Sequence, residues 1–195
     1  AAGDLPLPAW WSGMCNVNNH AGSFPLGSSY QGVIACGPLN SEKRVNFGAG
    51  VPQLEWQCPE LVKRFMYLKY GIPPYSANGK DVVRNYGGTR LVKVANGTKG
   101  IAPRPGDILS YGDHTTYGHT SLVSASSVDA SGNGWVTIIE QNYNASGTRT
   151  HEVSNWTVID SMIASGWLTD PLANIVPVTI RPSGKTFEVL PSFEW

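Results

Sequence analysis

Gln57-Cys58-Pro59-Glu60-Leu61-Val62-Lys63-Arg64-Phe65-Met66-Tyr67-Leu68-Lys69-Tyr70-Gly71 is the stretch whose period decides the fold. Leu61, Val62, Phe65, Met66 and Lys69 recur at helical spacing, which makes one stripe of an amphipathic helix. Pro59 suits the first helical position, where a missing N–H costs nothing. Glu60 puts a carboxylate in the first turn, against the positive end of the helix dipole. Gly71 and the Pro73-Pro74 pair stop the helix. The spacing therefore predicts a helix over 58–70, with Cys58 at its start.

Outward from that helix the chain changes character twice. Upstream, Pro6, Pro8, Gly13, Gly22, Pro25, Gly27, Gly32, Gly37 and Pro38 interrupt residues 1–50 too often for long helices, and this arm reads as irregular. Downstream, Lys80–Tyr86 reads as a short second helix ended by Gly87-Gly88. From 89 the period becomes two. Strands are predicted at Arg90–Val94, Ile108–Tyr111, His119–Ala125, Trp135–Asn142 and Thr148–Val153. Ile175–Ile180 and Thr186–Leu190, around Pro182-Ser183-Gly184-Lys185, read as a terminal hairpin. A helix followed by an antiparallel meander is an α+β arrangement. The chain has 195 residues, the size of one domain.

Composition removes several classes of function. Lys+Arg and Asp+Glu both number 14, so the net charge is zero. With no basic cluster, the chain lacks the electrostatic footprint of a nucleic-acid binder. It also lacks the means of simple capture by anionic membranes, and no apolar run is long enough for a membrane span. Low charge with abundant Ser, Thr, Asn, Gly and Trp suits a secreted or extracytoplasmic protein. Ala1-Ala2-Gly3-Asp4 is what a cleaved secretory signal would leave, although an arbitrary start would look the same. The expected state is a monomer. The three cysteines, Cys15, Cys36 and Cys58, leave at least one thiol unpaired.

Four residues carry the candidate chemistry. Backbone N–H groups at a helix start favour a thiolate, so Cys58 is a candidate nucleophile; the plainer alternative is a buried structural cysteine. His119 opens a strand in Tyr117-Gly118-His119-Thr120, and His114 is its rival as a base. Period two places Val136, Ile138, Glu140 and Asn142 on one face, which delivers two polar groups at the strand end. The functional reading is an acceptor that orients an imidazole through its Nδ1–H; the alternative is a solvated strand end. Nucleophile, base and orienter in that chain order are what covalent thiol catalysis requires. A metal site made from Cys58, His114 and His119 has a spacing that matches no common ligand pattern.

Gln57-Cys58 opening a helix, Pro105-Gly106-Asp107-Ile108 entering a strand, Gly118-His119-Thr120 and Ile139-Glu140-Gln141-Asn142 together resemble the CHAP domain, the cysteine, histidine-dependent amidohydrolase/peptidase family of the papain-like superfamily. The resemblance covers roughly residues 50–145. It implies a papain-like fold in which the helix bearing the nucleophile packs on an antiparallel sheet. It implies Cys58 as nucleophile, His119 as general base, Glu140 as its orienter and Asn142 as a supporting polar residue. Gln53 and Gln57 are candidates for the second oxyanion donor, beside the Cys58 N–H. Family members cut amide bonds in bacterial peptidoglycan, and a few hydrolyse other amides. Some hold calcium in an acidic loop before the cysteine; Asn46–Glu55 lacks clustered Asp residues, so no metal and no cofactor are expected. Three segments follow: an arm over 1–49 packed on the domain, a CHAP-like domain over 50–170, and a β-hairpin extension over 171–195. In an exported protein Cys15 and Cys36 would form a disulfide worth about 3 kcal/mol on the chain-entropy model; in a reducing compartment they would be two free thiols. Trp56, Tyr111, Tyr117, Trp135 and Tyr143 lie near the motifs and are either groove walls or core. Two other functions stay open: an amidase with a substrate outside the wall, and a silent cell-surface binding module.

Overall fold

The structure, a computed structural model, describes residues 10–15, 22–40 and 42–173. The predicted terminal hairpin over 175–190 lies outside the described residues. The helix α1 runs over Cys58–Tyr70, with Cys58 as its first helical residue and Pro59 as its second. It stops where Gly71 takes φ 66°, a left-handed conformation that glycine enters without penalty. The Gly71 N–H then donates to the Tyr67 carbonyl (2.9 Å) and Ile72 N–H to the Met66 carbonyl (3.3 Å).

The arm before the helix is not irregular, as the sequence suggested. It forms a hairpin of β1 (Phe24–Tyr30) and β2 (Val33–Gly37). Next, β3 (Lys43–Val45) pairs with β4 (Gln53–Glu55). Gly22 and Gly32 stand in turns, but Pro25 and Gly27 lie inside β1 and Gly37 inside β2, so the breakers did not separate strand from turn.

After α1, a short helix α2 (Val82–Asn85) follows a single 3₁₀ turn at Gly79–Asp81. The main sheet then forms from β5 (Val92–Ala95), β6 (Ile108–Tyr111), β7 (His119–Val128), β8 (Gly134–Ile139), β9 (Thr148–Ser154), β10 (Thr157–Val158) and β11 (Ala164–Thr169). Its order is β10-β9-β8-β7-β6-β11-β5, and every neighbouring pair is antiparallel. The sequence reading missed β10 and β11. The first is two residues long, and β11 (Ala-Ser-Gly-Trp-Leu-Thr) opens on small residues and then buries the adjacent Trp167 and Leu168, so no clean alternation shows.

Both faces of the sheet are buried, and alternation assigns each residue to one of them. Ile108, Leu122, Ile139 and Leu168 face one way and pack on Leu61, Val62, Phe65 and Met66 of α1. Their neighbours Leu109, Val123, Ile138 and Trp167 face the other way and form a second core with Tyr111, Val136 and Val153. The helix is buried on more than its predicted stripe. Glu60, Lys63 and Arg64 are buried too, while Lys69 is exposed. Val33 and Ala35 of β2 join the core on α1, so the arm covers part of the helix surface that would otherwise meet water. The architecture is α+β, a helix with the candidate nucleophile at its start packed on an antiparallel sheet.

Candidate active site

Cys58 is the free cysteine among the described residues, and it is 8% exposed. Cys15 and Cys36 are joined by a disulfide, with 5.5 Å between their α-carbons. The bond is packed against Trp11 and Trp56. It ties the segment before residue 16 to β2.

His119 begins β7 opposite Tyr111 of β6 and is nearly sealed from solvent. Two glycines allow it to sit there. Gly118 has φ +60°, and a Cβ on it would lie 2.4 Å from the Lys80 Cβ and from the Tyr111 carbonyl oxygen. Gly79 lets the 3₁₀ turn press directly on His119, because a Cβ there would be 2.6 Å from the His119 Cα. His119 Nε2 meets Glu140 Oε2 at 2.8 Å. The sequence reading had the orienting bond on Nδ1; it falls on Nε2. Burial alone would pull the imidazole down. The Cys58 charge and hydrogen bond, then the Glu140 hydrogen bond and charge, outweigh it and hold His119 at about 9. His114, the rival base, is exposed.

Glu140 stands just past the end of β8, with its N–H on the Gly147 carbonyl (2.8 Å) and its side chain fully buried. Every hydrogen-bond partner of its carboxylate among the described residues is a donor. Besides His119, Arg149 Nε reaches Oε1 at 2.8 Å, Arg149 Nη2 reaches Oε2 at 3.0 Å, and Asn144 Nδ2 reaches Oε1 at 2.8 Å. Burial pushes this carboxyl up, but the hydrogen bonds and charges of His119 and Arg149 hold it below the ordinary range.

Asn142 departs from its predicted place. The strand ends at Ile139 and Asn142 adopts φ 57°, so period two no longer applies to it. Its Nδ2 donates to Gln57 Oε1 at 2.5 Å, and its Oδ1 accepts the Asn40 N–H at 2.7 Å. It braces the residue before Cys58, not the His119 ring. Gln57 thus has its oxygen engaged with Asn142. Gln53 is buried; its Oε1 accepts from Lys63 Nζ (3.1 Å), and its Nε2 donates to the Val51 carbonyl (2.7 Å). Lys63 is pulled down to about 8 by burial, with the nearby Cys58 charge acting against that.

Two residues of the site were given no role by the sequence, although Gln141 stands inside the Ile139–Asn142 motif. Gln141 is fully buried. Its Oε1 accepts from the Cys36 N–H (2.8 Å) and from Arg64 Nη2 (3.1 Å). Its Nε2 donates to Glu60 Oε2 (2.9 Å) and the Gln57 carbonyl (3.1 Å). Arg149 is the other, brought to Glu140 only by the β8–β9 register. The Pro105-Gly106-Asp107 motif is structural: Gly106 N–H donates to the Val123 carbonyl (2.8 Å), and Val123 N–H to the Asp107 carbonyl (2.9 Å). Of the flanking aromatics, Trp56 and Tyr111 are core, while Tyr117, Trp135 and Tyr143 are exposed.

The chain carries a CHAP domain: the model of that family matches residues 48–142. A crystal structure of a wild type endolysin, LysIME-EF1, is similar at 19% identity and a TM-score of 0.43, over 59% of this chain and 53% of that one. The crystal structure of Ly7917 is similar at 18% identity and a TM-score of 0.38, over 59% of this chain and 53% of that one. The chain thus matches about half the length of each. No curated protein matches the chain.

Proposed function

We propose that this protein is a thiol hydrolase that cleaves amide bonds of bacterial peptidoglycan through Cys58, His119 and Glu140. The observation that carries the reading is the burial of Cys58, His119 and Glu140 together with the 2.8 Å contact of Glu140 Oε2 on His119 Nε2, beside the Cys58 charge that acts on the same ring. The CHAP domain at 48–142 supports the same chemistry.

In this reading the Cys58 thiolate, paired with the His119 imidazolium, attacks an amide carbonyl carbon. The oxyanion meets the Cys58 N–H, one of the donors a helix start leaves without an intrahelical partner. The second donor is the Gln53 amide, whose flip Lys63 fixes by holding its oxygen. A donor of this kind is worth about 2.7–4 kcal/mol. His119 passes its proton to the leaving amine. Water, deprotonated by His119, then releases the acyl group from the thioester. Glu140 stays ionised and keeps the ring in one orientation. The disulfide suits action outside the cytoplasm.

The test is digestion of purified peptidoglycan by the protein and by Cys58→Ala, with masses of the products. The wild type is expected to release fragments and the variant none. New N-terminal L-Ala marks an amidase, and a new end within the cross-bridge marks an endopeptidase. Full activity in Cys58→Ala would refute the assignment.

A further inference from the structure

Glu140 is a carboxylate with no exposure, and a single residue supplies two of its four side-chain donors. That residue, Arg149, sits on β9 opposite Ile138, two positions before Glu140 along β8. Its fork meets both Glu140 oxygens, the bidentate geometry that a guanidinium offers and an ammonium does not. The remaining arm is also committed, because Nη1 donates to Asp160 Oδ2 at 2.9 Å. Asp160 is itself fixed: its Oδ1 accepts the Met162 N–H (2.7 Å), and Oδ2 lies 3.3 Å from His151 Nδ1. The guanidinium lies 3.9 Å from the centre of the Tyr143 ring, and that ring centre is 5.0 Å from the His119 ring centre. Arg149 therefore contacts Glu140 edge-on and Tyr143 face-on.

We propose that Arg149 is a positioning residue of the reaction, holding the Glu140 carboxylate against His119, and that Asp160 holds Arg149 in turn. This rests on the reading of Cys58, His119 and Glu140 given above. A buried carboxylate that loses its cation does not stay as it was; it takes up a proton or finds water. A protonated Glu140 no longer stabilises the imidazolium, and the thiolate–imidazolium pair is lost with it. The charged and titratable groups around Glu140 are His119 from β7, Arg149 from β9 and Tyr111 from β6, with Asp160 and His151 behind Arg149. Arg149 and the imidazolium are the cations among them, so removing Arg149 moves Glu140 toward the neutral acid.

The measurement is the rate at which iodoacetamide alkylates Cys58, followed from pH 4 to 9 and read by intact mass, which needs no substrate. Arg149→Met is expected to shift the acid limb of that profile upward by about one pH unit, so that alkylation on that limb slows roughly tenfold. Arg149→Lys keeps the charge and is expected to restore the limb, while its peptidoglycan turnover stays at least fivefold below wild type with KM within twofold. An Arg149→Met profile that superimposes on the wild type would overturn the proposal. Should Arg149→Met fail to fold, Arg149→Lys decides, and wild-type turnover in it overturns the proposal. The underlying reading fails separately, through full turnover in Cys58→Ala.

Discussion

Replacing Glu140 by Gln changes one atom of the site and places it where it fits worst. His119 Nε2, Arg149 Nε, Arg149 Nη2 and Asn144 Nδ2 all point donors at the carboxylate. An amide NH₂ in that ring of donors can satisfy none of them. The consequence for His119 follows from the balance that sets its titration. Burial disfavours the imidazolium, and Cys58 and Glu140 overcome that to lift it from 6.5 to about 9. That lift is about 3 kcal/mol in favour of the charged ring. Without the Glu140 charge and hydrogen bond, the His119 midpoint is expected to fall by at least one pH unit. Because the folded value lies above the unfolded one, the stabilisation from His119 is complete below pH 6.5 and disappears as pH rises through about 9. Thermal stability of the wild type should therefore decline between pH 7 and 9, and this decline should be shallower in Glu140→Gln. The midpoint is read by NMR on protein labelled at the histidine ring carbons, and turnover on purified peptidoglycan. General acid–base groups supply about 10²–10⁴-fold, so a loss near the lower bound is expected. A His119 midpoint still at 9, with turnover within threefold of wild type, would refute the reasoning.

Gln141→Leu leaves the buried Cys36 N–H without its acceptor and removes bonds to Arg64 and Glu60. Urea denaturation should show a loss of about 2–4 kcal/mol, and a loss below 1 would mean that the arm repacks freely. Gly79→Ala puts a methyl group 2.6 Å from the His119 Cα. It should cost about 1–3 kcal/mol and lower turnover by displacing the base, whereas Gly87→Ala, with open space around it, should not. Paired Cys15→Ser and Cys36→Ser changes should lower stability by about 2–5 kcal/mol. Alkylation of the denatured, unreduced wild type should find one thiol, and three would refute the disulfide.

What the sequence revealed and what it withheld divide along the range of the forces involved. Helix α1 was legible to the residue because its stripe, its proline and its Gly71 stop act within a few positions of one another. The order of Cys58, His119 and Glu140 was legible because each stands at the end of an element, where a change of period exposes it. Asn142 was misplaced because period two was extended past Ile139, where the chain turns through a positive φ to start the loop to β9. The orienting bond was assigned to the wrong imidazole nitrogen because that choice depends on the approach of α1 to the sheet, which no local pattern records. The roles of Arg149 and Gln141 were invisible for the same reason. Gln141 bonds Cys36 from 105 positions away and Gln57 from 84, and Arg149 reaches Glu140 only through the hairpin register. The paired β1 and β2 were hidden because Pro25, Gly27 and Gly37, read as breakers, lie inside the strands, and β3 is only three residues long.

The distribution of charge explains why the site is built this way. Only 14% of the residues are charged, yet Glu55, Glu60, Lys63, Arg64, Asp107 and Glu140 are all buried. Four of these lie within six positions of Cys58, and Glu140 follows β8 into the same region. Burying a charge is costly unless it is paired and hydrogen-bonded, and most of these are: Arg64 with Glu60 at 2.7 Å, Lys63 on Gln53, Glu140 on His119 and Arg149. Glu55 is the exception. Neither of its oxygens has a hydrogen-bond partner among the described residues, and burial with the nearby Glu60 pushes it up to about 7, against the pull of Arg64. Such groups do little for net stability, since a hydrophobic core of the same volume would serve as well. What they supply is geometry. Gln141 fastens the Gln57 carbonyl, Glu60 and Arg64 to the strand end that carries Glu140. Cys58 at one end of α1 and Glu140 beyond β8 are thereby held by adjacent residues of one loop. A movement of that loop would shift Glu140, Gln141 and Asn142 together, and with them the orientation of His119 and the residue preceding Cys58.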